Sequence, residues 1–303
     1  MKKGILLAIG AYGLWGVLPI YWKQLQGVPS PEIIGHRIVW SLVFAGGVVI
    51  FKSRLPLMLR TVREGRVVFI YGIAASVLTV NWTTYVWGVN AGYVVETSLG
   101  YFINPLVSVL LGVIFFRERL RSWQWAAIGL AATGVGYLTT RHGSLPWIAL
   151  VLAFSFGTYG LIKKSAPLEA LEGLTLEVAL LTVPALLYLV HLQSRGVGTF
   201  GHAGLPSVLL VLGGVVTATP LLMFAGAARR IPLSMLGVLQ YIAPTLQFSI
   251  GVWVYGEEFS RDRLIGFCFI WAALIMYTVE GLQARRRNRV GAVIRTGSYR
   301  LNK

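Results

Sequence analysis

Long apolar runs, separated by short charged loops, recur along the whole chain. Each run is close to the roughly 20 residues that a helix needs to cross the hydrocarbon core of a bilayer. Helices are favoured over a barrel because the runs do not alternate, and because lipid requires each segment to satisfy its own backbone hydrogen bonds. The pattern predicts an all-α integral membrane protein with ten transmembrane helices, at 4–22, 32–51, 67–88, 94–116, 123–140, 145–162, 172–192, 206–228, 232–255 and 262–282.

Two of these runs each contain a proline that is followed thirteen residues later by a glutamate at a charged exit. Pro105 precedes Glu118, and Pro244 precedes Glu257. A proline lacks an N–H group and crowds the carbonyl four residues before it, so helix kinks are predicted at Pro105 and at Pro244. The shared spacing indicates an internal duplication.

The duplication predicts two five-helix repeats, 1–141 and 142–282, followed by a basic tail at 283–303. Since five is an odd number, the second repeat enters the membrane from the opposite side, and the two repeats are inverted. Lysines and arginines concentrate in the loops on one side of this arrangement, which places both termini in the cytoplasm. Inverted repeats are typical of secondary transporters, whose substrate site lies between the halves near the membrane midplane.

Composition and charge fit this class. Charged residues make up 13% of the chain and hydrophobic residues 56%, whereas soluble domains contain about 25% charged residues. The net charge of +16 requires no nucleic acid as a partner, because most of it lies in the cytoplasmic loops and in the tail, which is expected to bind anionic lipids of the inner leaflet. The single cysteine, Cys268, excludes a disulfide framework and a cysteine-based metal cluster.

Motifs of enzymes are absent from the sequence. It contains no nucleotide-binding loop, no zinc-binding helix motif and no paired catalytic carboxylates, and its four histidines lack ligand spacing. An enzyme, an ATPase subunit, a cofactor and a bound metal are therefore not expected.

A lipid scramblase or flippase of the same architecture stays open as the alternative. The fifth and tenth spans, rich in small and aromatic residues, could either pack peripherally or join two subunits in a homodimer.

Polar and aromatic side chains within the spans are the candidates for lining a substrate cavity. Thr97, Tyr101 and Asn104 recur at helical intervals and form a stripe on one face of the fourth span. The full set is Tyr12, Trp15, Asn81, Trp82, Tyr85, Thr97, Tyr101, Asn104, Tyr159, Gln240, Tyr241 and Gln247. Aromatic walls with few polar groups suit a small amphipathic substrate, although hydrogen bonds between helices would also account for the stripe.

Ionisable groups inside the spans are the candidates for gating and coupling. Arg37, beside His36 near the outer face, is expected to pair with Glu96. Glu177, near the inner face, is expected to pair with Arg229. The two pairs would act as gates that close alternately, and the acidic groups and the histidine could also carry protons. Alternatively, Glu96 complements its helix N-terminus, Arg37 extends toward the interface, and Arg229 marks the cytoplasmic boundary.

Three short runs resemble one family of transporters. EIIGHRIVWS at 32–41, SLGYFINPL at 98–106 and the RERL exit at 117–120 resemble RarD-type permeases of the EamA branch of the drug/metabolite transporter superfamily. The resemblance covers nearly the whole chain apart from the tail. It implies a ten-helix carrier in the bacterial inner membrane that moves small metabolites or drug-like molecules by secondary transport, usually outward.

Overall fold

The computed structural model describes residues 2–117, 120–142, 144–202, 204–228, 230–231 and 239–298. Throughout these ranges the regular secondary structure is helical, and they contain no strand. The predicted all-α class is therefore confirmed.

The described residues of the first half form six helices, which are α1 Lys2–Lys23, α2 Ser30–Phe51, α3 Leu55–Val62, α4 Gly65–Asn90, α5 Val94–Phe116 and α6 Ser122–His142. The second half contributes α7 Trp147–Ser165, α8 Ala170–Ser194, α9 Gly204–Ala228, α10 Ile242–Ser249 and α11 Arg261–Ser298. A π-helical turn, Ile250–Val254, continues directly from α10.

Seven helices in the described part of the chain are long and apolar enough to cross a membrane. They are α1, α2, α4, α5, α8, α9 and the segment Arg261–Gly281 of α11, and they coincide with seven predicted spans. The apolar helices Trp147–Lys163 and Ile242–Val254 are shorter, and α6 belongs to neither group. The protein is thus a multi-pass helical membrane protein, while the count of ten spans and the inverted repeats stay predictions.

The chain divides into two compact units, and the described residues of the larger one fall within 2–108 and 147–258. In this unit α9 packs against α1 and α2, and α4 packs against α7 and α8. We call these the first helix set (α1, α2, α9) and the second helix set (α4, α7, α8). Under the predicted duplication α1, α2 and α4 correspond to α7, α8 and α9. Each helix of the first set therefore has its counterpart in the second set, which is α7 for α1, α8 for α2 and α4 for α9.

The backbones of α2 and α9 lie close together at Gly214. A Cβ atom on Gly214 would lie 2.5 Å from the carbonyl oxygen of Trp40 and 2.7 Å from the amide nitrogen of Ser41. At the preceding residue, Gly213, the nearest atoms to a Cβ would be side-chain atoms of Trp22 and Tyr21 at 3.8 Å. The missing side chain of Gly214 therefore permits backbone-to-backbone packing inside the first helix set.

The smaller unit consists mainly of α6 and α11, which pack along each other. Ion pairs join the two helices near both ends of α6. Arg121 Nη1 lies 2.6 Å from Glu280 Oε1, and Arg141 Nε lies 3.1 Å from Asp262 Oδ1. These helices correspond to the predicted fifth and tenth spans, and the homodimer suggested for them stays a prediction.

The two prolines with predicted kinks lie in different settings. Pro105 lies inside α5. Pro244, by contrast, lies in the first turn of α10, which begins at Ile242. Residues of a first helical turn have no intrahelical partner for their amides, so a proline is tolerated there without a kink. The backbone oxygen of Gln240, four residues before Pro244, accepts a hydrogen bond from the amide of Ala243 at 3.3 Å. Pro244 therefore lies at the start of α10, and the kink predicted there stays a prediction.

Candidate functional site

Arg37 is buried in α2, and its guanidinium lies over two indole rings. Its Cζ atom is 4.0 Å from the ring centroid of Trp82 in α4 and 5.1 Å from that of Trp22 in α1. Such a cation–π contact is worth about 2 kcal/mol when the cation is desolvated. Nε and Nη1 have no hydrogen-bond partner among the described residues. Arg37 was expected to pair with Glu96, but this pair is not among the ion pairs between described residues. Glu96 lies half-buried in the first turn of α5.

Tyrosines complete the surroundings of Arg37. Tyr101, Tyr85 and Tyr21 lie within electrostatic range of its guanidinium. The rings of Tyr85 and Tyr101 meet edge to face with their centroids 5.6 Å apart, a favourable aromatic geometry. Ser41 lies one turn after Arg37 on the same face of α2. We define the Arg37 site as Trp22, Arg37, Ser41, Trp82, Tyr85 and Tyr101.

Glu177 is fully buried in α8 and forms an ion pair that the sequence analysis did not identify. Its Oε1 lies 2.8 Å from Nζ of Lys163 in α7, and its Oε2 accepts a hydrogen bond from the hydroxyl of Tyr159 at 3.0 Å. Lys163 also lies over the ring of Tyr71 in α4, 4.8 Å from its centroid. Through these two contacts Lys163 links all three helices of the second set. The predicted partner, Arg229, lies outside the described residues.

Two further carboxylates bind backbone amides, a role that the sequence did not reveal. Glu32, in the first turn of α2, is 1% exposed and accepts hydrogen bonds from both amides of the 199–200 loop, at 2.7 and 3.2 Å. His36, one turn further along α2, packs against Phe200 with ring centroids 4.6 Å apart and ring planes tilted by 31°. Glu257 accepts hydrogen bonds from the first two amides of α5, at 2.7 and 2.8 Å. These contacts fix the ends of helices that carry the candidate site.

Replacing Glu257 with alanine is expected to destabilise the protein by about 1–2 kcal/mol, because a side chain that caps a helix N-terminus contributes that much. The adjacent Glu258 is exposed, and its replacement with alanine is the matched control. Thermal unfolding in detergent should show a clearly lower Tm for Glu257→Ala than for Glu258→Ala. Equal values would contradict the capping role.

Several predicted cavity residues form helix contacts away from Arg37. Tyr12 and Trp15 of α1 pack against Phe224 of α9, with ring centroids 6.1 and 5.8 Å apart. Asn81 of α4 donates a hydrogen bond to the backbone oxygen of Leu152 in α7 at 3.1 Å. These residues lie inside the first and second helix sets respectively, where they contribute to packing.

The remaining predicted cavity residues are held locally or lie near α10. The hydroxyl of Thr97 donates to a carbonyl of its own helix at 2.8 Å, and the Asn104 oxygen accepts a hydrogen bond from the next turn at 3.4 Å. The side-chain amide of Gln247 donates a hydrogen bond to the backbone oxygen of Trp15 in α1 at 3.0 Å. Gln240 and Tyr241 are half-buried just before α10. The structure thus gathers only part of the predicted cavity set around Arg37.

A bundle of membrane-length helices that buries an arginine among aromatic rings, and that contains a buried ion pair in the same unit, fits the class of membrane transport proteins. Comparison with known proteins gives the family. Residues 2–140 match the EamA-like transporter family. The chain is 46% identical over 289 residues to Protein RarD of Streptomyces exfoliatus, covering 95% of this chain and 92% of that protein. It belongs to the EamA-like transporter family, as a RarD-type permease.

Further relatives agree with this assignment. Protein RarD of Escherichia coli (strain K12) is 39% identical, with 94% of this chain and 97% of that protein covered. An uncharacterized transporter of Bacillus subtilis (strain 168), YojE, is 42% identical, with 95% and 97% covered. A solved crystal structure that is 18% identical superimposes with a TM-score of 0.56, over 92% of this chain and 98% of the other. That last likeness concerns the fold alone.

Proposed function

We propose that this membrane transporter moves small amphipathic metabolites or drug-like molecules outward by alternating access, with the Arg37 site on the substrate path. The observation that carries the proposal is a buried arginine whose Nε and Nη1 have no protein partner among the described residues. Ionisable groups within membrane helices are costly and usually mark a substrate or ion pathway. Aromatic rings around a few polar groups suit an amphipathic solute.

The arrangement of helix neighbours supports the alternating mechanism. Under the predicted duplication the first and second helix sets correspond to each other, and α2 of one set packs against α8 of the other. Secondary transporters built from inverted repeats expose a shared site to each side in turn by rocking one bundle against the other. The two helix sets are the bodies that would rock.

Glu177 is the candidate for the inner gate. In the structure its partner is Lys163, and the hydroxyl of Tyr159 binds the same carboxylate. A buried carboxylate that exchanges partners between two states would couple opening of that side to the rearrangement of α7 and α8. The same carboxylate could take up a proton when the ion pair separates, so coupling to protons belongs to the same proposal.

Counterflow in proteoliposomes tests the proposal. Solutes that leave overexpressing cells faster than deletion cells would be identified by comparing metabolites in medium and cells. Vesicles preloaded with such a solute should then accumulate the labelled solute only when they contain the protein. A fluorescent phospholipid in the same vesicles tests the alternative function. Lipid scrambling without solute counterflow would replace the proposed function with that of a scramblase.

A further inference from the structure

The charge of Arg37 bears on the chemistry of the substrate, an inference that rests on the proposed function. Arg37 is 5% exposed. Buried charges in proteins are normally paired with an opposite charge, because an uncompensated one is strongly unfavourable. Within the described ranges, however, no carboxylate forms an ion pair with Arg37. Its neighbours are indole rings and tyrosines, which attract a cation but do not neutralise it.

Other hydrogen-bond donors of the site are buried without partners as well. Besides Nε and Nη1 of Arg37, the atoms without a partner among the described residues include Nε1 of Trp22, Oγ of Ser41 and the hydroxyl of Tyr85. Ser41 is 0% exposed and Tyr85 is 3% exposed. Buried polar groups are nearly always hydrogen-bonded. Several such donors around one cation form a set that an acceptor with a negative charge would satisfy.

We propose that the Arg37 site binds the carboxylate of a small organic monoanion whose aromatic or apolar body lies against the rings of Trp82 and Tyr101. An ionised carboxylate only accepts hydrogen bonds, through two oxygens, so it matches a set of donors. Bonds from arginine to carboxylate are charge-assisted and stronger than neutral ones. A single arginine balances one negative charge, which favours a monoanion over a phosphate ester with two charges. The edge and face of aromatic rings favour an aromatic body.

Binding of a carboxylate and its amide tests the inference. Purified full-length protein in phosphatidylcholine nanodiscs would be titrated by calorimetry with 3-phenylpropionate, with indole-3-acetate and with the amide of each. The acids should bind at least about tenfold more tightly than the amides. Arg37→Gln should remove this preference, whereas Arg37→Lys should retain part of it, because lysine keeps the charge but not the planar donor group. Arg195→Gln, at an exposed arginine after α8, is the matched control and should keep the full preference.

Three results would overturn the inference. The first is that the native protein shows no preference for the acids, or does not bind them at all. The second is that the preference survives Arg37→Gln. The third is that Arg195→Gln loses the preference to the same extent as Arg37→Gln. If Arg37→Gln is not recovered as a monodisperse protein, Tyr85→Phe decides instead, since it removes one hydroxyl. It should weaken binding of the acids by about threefold or more and leave the amides unchanged, and no change for the acids would overturn the inference.

The result is separable from that of the proposed function. Counterflow of neutral solutes by a protein without preference for carboxylates would refute the inference and leave the transporter mechanism standing. Charge-selective binding without any counterflow would support the inference and refute the transporter mechanism.

Discussion

Replacing Gly214 with alanine is expected to destabilise the protein by about 3 kcal/mol, at the upper end for overpacking of a core. The new Cβ would lie 2.5 Å from a backbone oxygen of α2. Backbone atoms within a helix cannot rotate away as the end of a flexible side chain can, so α9 must move away from α2. A general destabilising effect of alanine is excluded as the cause, because alanine itself favours helix over glycine by about 1 kcal/mol.

The adjacent glycine gives a matched control. At Gly213 the nearest atoms to a Cβ would be 3.8 Å away, an ordinary van der Waals distance, so Gly213→Ala is expected to leave the Tm unchanged or to raise it. Thermal unfolding of both variants in the same detergent measures the difference. A Tm for Gly214→Ala at or above that of Gly213→Ala would show that α2 and α9 are not in backbone contact.

Replacing Glu177 with glutamine is expected to reduce counterflow at least about tenfold and to destabilise the protein by about 3 kcal/mol, since removal of one partner of a buried ion pair costs 3–5 kcal/mol. The lower value applies because the Lys163 side chain is 19% exposed while that of Glu177 is 0% exposed. Glu64→Gln, at an exposed glutamate before α4, is the control for loss of one negative charge. It is expected to change neither property.

A double variant separates packing from gating at this position. Lys163→Met combined with Glu177→Gln removes both charges and should recover most of the lost stability, because no uncompensated charge is then left buried. If the pair acts in gating, counterflow should stay low in the stable double variant. Recovery of counterflow together with stability would show that the pair only holds α7 to α8.

The sequence predicted the class and the positions of the main helices because lipid imposes a simple requirement on them. Every backbone group in a spanning segment must be bonded within that segment, so an apolar run of sufficient length is already informative. The predicted spans 32–51 and 94–116 correspond to α2 and α5 of the structure. The family was accessible for a different reason, since its motifs are short, specific runs of residues that can be read directly.

Partner choice between helices was not accessible in the same way. A soluble helix shows which face it buries by its polar face, whereas the membrane helices here are apolar on most sides, so their rotation is not encoded by a hydrophobic stripe. Arg37 was expected to need a carboxylate, but it is placed between indoles of two other helices. Glu177 was assigned to the basic residue nearest in the predicted topology, and Lys163, on the preceding helix, was overlooked.

The exchange of helices between the two sets has a consequence for how the protein is made. Each set takes its third helix from the opposite half of the chain, so α1 and α2 meet α9 only after most of the polypeptide has been synthesised. Until then, the face of α2 at Trp40 and Ser41, which contacts Gly214 in the finished protein, has no α9 to pack against. An amino-terminal fragment that stops before α9 is therefore an incomplete assembly unit, because it lacks the helix against which both α1 and α2 pack.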